Sequence, residues 1–413
     1  MKILFLLFIC IIFGYSKPSQ MSPLPLPSVE VLNISTKICD VVCLKKLESD
    51  GLIFSFLALI NTKESNNELS PIAFAFMDEV NIDVLPSANI VQNIFIDDVE
   101  FSGEQFKIAL LLPKKVIGRY SISATNTVLS YLLYRGIPYQ LKVYDSKYED
   151  IQNINSTLAK IREDGYDKVI SILTLEGTKS VLDSNTEGLK IYIPTVNSTQ
   201  VGFQKDNIYY GGIDYRGQIE SLLAYGAEKV AIFHDSSTVS ALINSHIENS
   251  VKNIVLKEQI DDLKNIDFKN IMQKNASKLN GASVFINTPL VTSSIIMSQI
   301  RFHDIKPTNI LSTQINYNPA IFNLTQYGDR KGLLMSNSII NNDLSMTETG
   351  RLFDVDLRFD WVNYSVAVGV DYFYSNMFER SSIFPEDKME NNQVKYPIEI
   401  FRSTSDGFRG VKE

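Results

Sequence analysis

The sequence predicts an α/β protein: two similar doubly wound parallel-sheet lobes joined by crossovers, preceded by a small, mainly helical N-terminal module. Three observations predict it. Lys107–Pro113 is a short apolar run followed by turn residues and a helix-like segment, Ser121–Tyr134. A strand apolar at nearly every position is buried on both faces, as in a parallel sheet covered by helices. The same unit then recurs, strand after helix, in two series, and this alternation means βαβ units. The residues before Gln105 do not follow it.

In chain order, the first series continues with strands at Tyr139–Asp145, Lys168–Leu173, Lys190–Pro194 and Ile208–Gly212. Asp150–Asp164 is a helix, because Ile151, Ile154, Leu158 and Ile161 fall at spacings of three, four and three, one helical face. Gly165 ends it. Thr178–Ser184 and Arg216–Tyr225 are shorter helices. The second series has strands at Lys229–Phe233, Ile254–Gln259, Ser283–Asn287, Ile310–Ser312 and Gly332–Met335. Helical segments at Val239–Ser250, Phe268–Leu279 and Val291–Arg301 separate them. Asn363–Phe378 is a long apolar helix, and Tyr396–Arg402 alternates as one closing strand. The expected division is 106–413 for the two-lobed domain, with lobe 1 about 106–214 plus returning C-terminal segments and lobe 2 about 215–335.

The N-terminal residues read differently. Residues 1–16 have the form of a signal peptide: Lys2, an apolar core over Ile3–Phe13, then the small residues Gly14 and Ser16. The apolar run is too short for a stable membrane span. The expectation is a soluble protein exported to the periplasm. Residues 17–105 are a tether with Pro18, Pro23, Pro25 and Pro27, then a small module with helical character over Ser35–Ile60. After the leader two cysteines remain, Cys39 and Cys43. In an oxidising compartment such a pair forms a disulfide, and one helical turn would set their Cα atoms about 6 Å apart. A redox pair is the alternative, although thiol-exchange motifs space their cysteines by two residues.

Composition narrows the function classes. The chain has 39 basic and 47 acidic residues and a net charge of −8. Without a long basic run it is a poor match for nucleic acid or an anionic membrane surface. No Gly-x-Ser-x-Gly elbow, His-Glu-x-x-His or phosphate-cradling glycine loop is present. The three histidines, His234, His246 and His303, lie in none of these motifs and lack an evident nucleophilic partner. The expectation is a non-enzymatic protein with no cofactor and no metal site.

The segment Ile208–Asp235 contains Asp214-Tyr-Arg-Gly-Gln218 and the strand Gly226–Asp235. It resembles the first crossover and the opening strand of the second lobe in type I periplasmic-binding proteins. Ser283–Met335 fits that lobe's later strands. Asn363–Asp371 and Tyr396–Phe408 resemble a subgroup, the binding-protein-like domain of lipoproteins that activate penicillin-binding proteins. The resemblance implies two lobes with a ligand cleft between them. Members that bind amino acids carry small and hydroxyl residues after the first, third and fourth strands. The positions here are Gly118 and Tyr120, then Thr174, then Thr195, Asn197 and Ser198. Asp214 and Asp235 stand where an amine could be held. Thr174, Thr195, Asn197, Ser198, Asp214 and Asp235 also suit helix capping, the commoner role of Ser, Thr, Asn and Asp at strand exits. Lys114 and Lys115 depart from the pattern, and Ser236-Ser237-Thr238 replaces an expected aromatic-glycine pair, so a standard α-amino-acid site is not implied. Two functions follow: binding a small polar solute in the cleft, or serving as an envelope scaffold for a protein partner such as a peptidoglycan synthase.

Overall fold

The computed structural model describes residues 41–49, 105–261, 263–264, 266–340 and 343–411. The chain divides into two compact units, Met1–Glu100 and Phe101–Glu413. Helix α1 (Val41–Ser49) is the described part of the first, with Leu44 buried. The leader, the proline tether and Cys39 lie outside the described residues, so the expected pairing of Cys39 with Cys43 lies there too.

The second unit opens with β1 (Phe106–Leu112), buried at every position but Lys107. Its alternate side chains enter two layers. Phe106, Ile108, Leu110 and Leu112 face one, and Ala109 and Leu111 the other. A strand sandwiched in this way must be apolar throughout, which is why the run was legible. The sheet adds β2 (Tyr139–Asp145), β3 (Lys168–Ser171), β4 (Lys190–Ile193) and β5 (Ile208–Tyr210), all parallel. Between them lie α2 (Lys114–Ile117), α3 (Tyr120–Arg135), α4 (Ile151–Glu163) and α5 (Leu175–Asp183). Helix α4 buries Ile154, Leu158 and Ile161, and Asp150 caps it through Asn153 N.

The second sheet repeats the plan with α6 (Tyr215–Leu223), β6 (Val230–His234), α7 (Thr238–Ser250), β7 (Ile254–Gln259) and α8 (Phe268–Leu279). It continues with β8 (Ser283–Asn287), α9 (Leu290–Phe302), β9 (Asn309–Ser312), α10 (Ile321–Leu324) and β10 (Leu333–Asn337). The chain then returns to the first lobe through α11 (Leu344–Arg351) and α12 (Trp361–Phe378), both packed on α3. The hairpin β11 (Lys388–Glu390) and β12 (Gln393–Lys395) joins the first sheet, β12 lying parallel to β5. Finally β13 (Glu399–Ser403) pairs antiparallel with β10, and β14 (Phe408–Gly410) pairs with β13.

The sheet orders are β11-β12-β5-β4-β3-β1-β2 and β14-β13-β10-β9-β8-β6-β7. The parallel cores share one order, and in each the winding reverses beside the first strand: between β1 and β3, and between β6 and β8. Doubly wound sheets bind ligands at that switch point, outside the carboxyl ends of the strands.

Each sheet has seven strands rather than the expected five. The additions are mostly three-residue strands with no apolar period. Tyr396–Arg402 is not one strand. Its first half is a crossing between lobes, and pairing with β10 begins at Glu399. The helix expected at Thr178–Ser184 starts at Leu175, because Thr174 caps it. Lys114–Ile117, expected as loop, is a helical turn, and its Lys114 N donates to Asp145.

Candidate functional site

The carboxyl ends of the parallel strands carry every ligand-site residue singled out from the sequence, and in lobe 1 most of them have partners inside the chain. Gly118 adopts φ 53 after α2, a conformation that favours glycine. Tyr120 opens α3 and is 38% exposed. Thr174 caps α5, and a carboxylate from the β2–α4 loop reaches it. Thr174 N donates to Glu149 Oε1 at 2.7 Å, and Thr174 Oγ1 donates to Glu149 Oε2. Gly177 leaves room for that carboxylate, since a Cβ there would stand 2.6 Å from Glu149 Cδ.

The neighbouring exits are tied in the same way. Thr195 Oγ1 donates to Leu173 O, binding the end of β4 to the end of β3. Asn197 Oδ1 accepts from Thr199 N at 3.0 Å, and its Nδ2 donates to Gly212 O at 3.1 Å. Ser198 N donates to Gln393 Oε1 at 2.7 Å. Asp214 accepts from Gly217 N at 2.9 Å and caps α6. In lobe 2 Asp235 accepts from Ser237 N at 2.9 Å, fixing the turn in which Ser237 caps α7. Ser236 N donates to Asp261 at 2.7 Å. Hydrogen bonds from Gln259 and Ser236 hold the Asp261 carboxyl below the usual carboxylate range.

The chain crosses between lobes after β5, after β10 and after β12. Gly211 and Gly212, in the first crossing, admit no side chain. A Cβ would stand 2.1 Å from Tyr192 Oη at Gly211 and 2.2 Å from the Val196 carbonyl carbon at Gly212. Ser365 of α12 donates to Gly211 O at 2.9 Å, and Tyr396 of the third crossing donates to the same oxygen at 3.0 Å. Burial pushes the Tyr192 and Tyr396 hydroxyls up, so both remain protonated hydrogen-bonding groups. On the lobe-2 side Tyr317 stacks on Phe408 at 4.4 Å and lies 5.7 Å from Phe359, in the loop before α12.

Of the lobe-2 half, sequence reasoning found only Asp235. Asn287 ends β8 at the switch point, and Thr313, Gln314 and Asn316 follow β9. Their exposures are 1%, 0%, 7% and 2%. They form a buried polar layer: Asn316 Nδ2 donates to Ser312 Oγ at 2.9 Å and to Ser293 Oγ at 3.0 Å. Asn287 Nδ2 donates to Asn244 Oδ1 at 2.8 Å. Gln314 Oε1 accepts from Gln218 Nε2 at 3.0 Å and from Ser338 N at 2.9 Å. Four atoms of the layer have no partner: Asn287 Oδ1, Thr313 Oγ1, Gln314 Nε2 and Asn316 Oδ1. Buried polar atoms are seldom left so, and each asks for an explanation. The signal was present in Asn287-Thr288 and Thr313-Gln-Ile-Asn316, polar runs that directly follow apolar strands.

Among the described residues no cluster of three or more His, Cys, Asp or Glu side chains could hold a metal ion. None of the described helices is long and apolar enough to cross a membrane.

The sequence matches no protein-family model, and no curated protein matches it. Solved structures do resemble the fold. One is the branched-chain amino acid transporter substrate-binding protein LivJ from Streptococcus pneumoniae in complex with isoleucine. It is 12% identical, with a TM-score of 0.52 over 75% of this chain and 100% of that one. A putative branched-chain amino acid ABC transporter protein from Rhodospirillum rubrum is 10% identical, with a TM-score of 0.55 over 75% and 100%. A solute-binding protein of an ABC transporter from Rhodopseudomonas palustris, in complex with 3,4-dihydroxybenzoic acid, is 12% identical. Its TM-score is 0.52 over 74% and 94%. The fold is thus the two-lobed α/β fold of type I periplasmic-binding proteins.

Proposed function

We propose that this is an exported, non-enzymatic binding protein that takes a small polar solute between its two lobes. The observation that carries the reading is the set of four unpartnered buried atoms at the carboxyl ends of β8 and β9. Asn287 Oδ1 and Asn316 Oδ1 are acceptors, Gln314 Nε2 is a donor, and the Thr313 hydroxyl is both. A solute rich in hydroxyl or amide groups supplies the missing partners. A rigid scaffold has no use for them, since an unpaired buried polar group costs about 1–3 kcal/mol. The structures of similar fold are solute-binding proteins, which supports the same class.

Glu149 narrows the solute. The N-terminus of α5 is a natural anion site, and Glu149 already fills it. A solute carboxylate is therefore not received there, which favours a neutral polyol or amide over an α-amino acid. The same contact is the one feature that favours the second reading, an envelope scaffold with a degenerate cleft that docks a peptidoglycan synthase. Closure of the lobes on a solute is the expected motion.

The test is a thermal-shift screen of the chain from Lys17 to Glu413 against sugars, amino acids, small anions and peptidoglycan fragments. A ligand at a hundredfold excess over its Kd stabilises by about 2.7 kcal/mol, a readily seen shift. A hit among neutral polar compounds, lost in Thr313→Val and Asn316→Ala, supports the reading. Silence across the library refutes it and moves the weight to the scaffold, to be pursued by pull-down from envelope extracts.

A further inference from the structure

Five large apolar residues of the described chain are at least two-thirds exposed: Leu352 at 82%, Phe302 at 79%, Val42 at 77%, Leu344 at 74% and Ile122 at 67%. Val42 lies on α1 and Phe302 on lobe 2. The other three lie on two neighbouring helices of lobe 1, Ile122 on α3, Leu344 on α11 and Leu352 at its end. Single exposed leucines are ordinary, whereas several on one face mark an interaction surface. We propose that this face of α3 and α11 pairs with the same face of a second copy of the chain across a twofold axis.

The two helices run antiparallel. Near the start of α3, Asn126 Nδ2 donates to Phe353 O at 3.0 Å, and near its end Tyr134 faces Asp343, the cap of α11. On α3 the residues Ile122, Asn126, Leu129 and Leu133 follow at spacings of four, three and four, the seam that one helix offers another. The opposite side of α3, with Ala124, Val128 and Tyr131, is buried in the lobe. On α11 Leu344, Glu348, Arg351 and Leu352 share the outward side, while Met346, Thr347 and Gly350 are buried. Leu344 is therefore level with the end of α3, and Leu352 with its start. The result is a largely apolar face two helices wide. Laid against its own copy, it completes a four-helix arrangement.

The charges select the occupant. Between the two leucines Arg351 Nη1 donates to Glu348 Oε1 at 2.9 Å, and both side chains are more than half exposed. A twofold axis at Glu348 sets Leu344 of one copy against Leu352 of the other, since each lies four residues, about 6 Å, from it. Arg351 lies three residues, about 4.5 Å, along the helix, so each Glu348 then stands between its own arginine and that of the other copy. An interface built from one surface must be its own complement, and this face meets that demand in charge as well as in apolar contact. An anionic membrane is a poor match, because Asp343, Glu348 and Asp354 outnumber Arg351 around the face. The face is about 17 Å long and about 20 Å across its two helices, roughly 300 Å². A standard interface takes about 800 Å² from each partner, so this pairing is weak and reversible. Both helices belong to lobe 1, and lobe 2 stays free to move.

The experiment is sedimentation velocity of the chain from Lys17 to Glu413 over a concentration series from about 5 to about 500 µM. The expected result is a monomer that converts to a dimer around 100 µM, the range of an interface this small. Leu344→Glu and Leu352→Glu each weaken association at least tenfold. Glu348→Arg alone and Arg351→Glu alone also weaken it, because each sets like charges against one another across the axis. An equimolar mixture of the two charge variants associates again, since one copy then offers two cations and the other two anions. Recovery on mixing is an outcome that a folding defect cannot produce, and all four positions are exposed, so each variant should melt as the natural chain does. A chain that stays monomeric throughout, a dimer indifferent to these substitutions, or charge variants that mixing does not rescue overturns the proposal. So does a dimer that Phe302→Glu abolishes and Leu352→Glu spares, because it places the interface on lobe 2.

Discussion

Asp387→Asn should stabilise the protein, by an amount that grows from about pH 4 and is complete above about pH 7. The carboxyl sits at about 7 rather than 3.8, chiefly because burial disfavours its charged form. At 1.36 kcal/mol per pH unit, that displacement corresponds to about 4 kcal/mol between its protonated and ionised states. Between about pH 4 and pH 7 the folded chain keeps a proton there that the unfolded chain has released. Stability from this group is thus fully present below pH 4, falls as pH rises through that window, and is level above about 7. Asparagine keeps the oxygen that Tyr364 reaches and never ionises. The variant should match the natural protein near pH 4 and exceed it at pH 8 by up to about 4 kcal/mol, an upper bound because water reaching the carboxylate relieves part of the cost. At about 2 °C per kcal/mol for a domain of this size, the midpoint rises by up to roughly 8 °C. Thermal melts of both proteins from pH 4 to pH 8 measure this. Parallel curves would refute the buried, uncompensated carboxylate. A curve that diverges fits a residue retained against stability, as happens where function needs it.

Three further outcomes follow from the geometry. Asp371→Ala leaves Arg135 and Tyr131 without their acceptor in a site where Asp371 is 2% exposed, and urea denaturation should show a loss of about 3–5 kcal/mol. Gly211→Ala drives a methyl into the Tyr192 hydroxyl and Ser365. It should cost about 1–3 kcal/mol or more by the same assay, and a neutral effect would mean that the first crossing is loosely packed. Thr313→Val removes a buried hydroxyl with no partner, so the melt should be unchanged or higher while solute affinity falls; a lower melting point would show that the hydroxyl is paired after all.

The fold was legible where burial imposes a pattern. Phe106–Leu112 must be apolar because layers cover both its faces, and α4 must place Ile154, Leu158 and Ile161 on one side. Strands β11, β12 and β14 are three residues long, too short for any period, and their positions depend on β5 and β13. No local property of Lys388–Glu390 could announce that partner. The site was legible only as a location. Thr174 and Thr195 were visible as hydroxyl residues at strand exits. What each hydroxyl bonds is settled by Glu149 and Leu173, 25 and 22 residues away. The ambiguity between cap and ligand group was therefore a tertiary question. Thr174 is a cap as well as the partner of Glu149.

The two lobes share a topology but use their strand exits differently, and the difference bears on how a solute would be held. In lobe 1 the polar exits serve the crossings. Asn197 Nδ2 and Gln393 Nε2 both donate to Gly212 O, at 3.1 and 3.2 Å, and Ser365 and Tyr396 both donate to Gly211 O. A hinge whose carbonyls are doubly held on one side is rigid there, so bending falls to residues on the lobe-2 side of each crossing. In lobe 2 the exits keep four buried atoms open. On the proposed reading the solute settles on lobe 2 first, and lobe 1 closes over it as a body already satisfied within itself. Substitutions at Asn197 or Gln393 should then alter stability and the rate of closure. Substitutions at Asn287 or Asn316 should alter affinity. The two classes separate in one experiment, a solute titration run alongside a melt. If Asn197→Ala changed affinity at unchanged stability, lobe 1 would be a binding surface and this division of roles would be wrong.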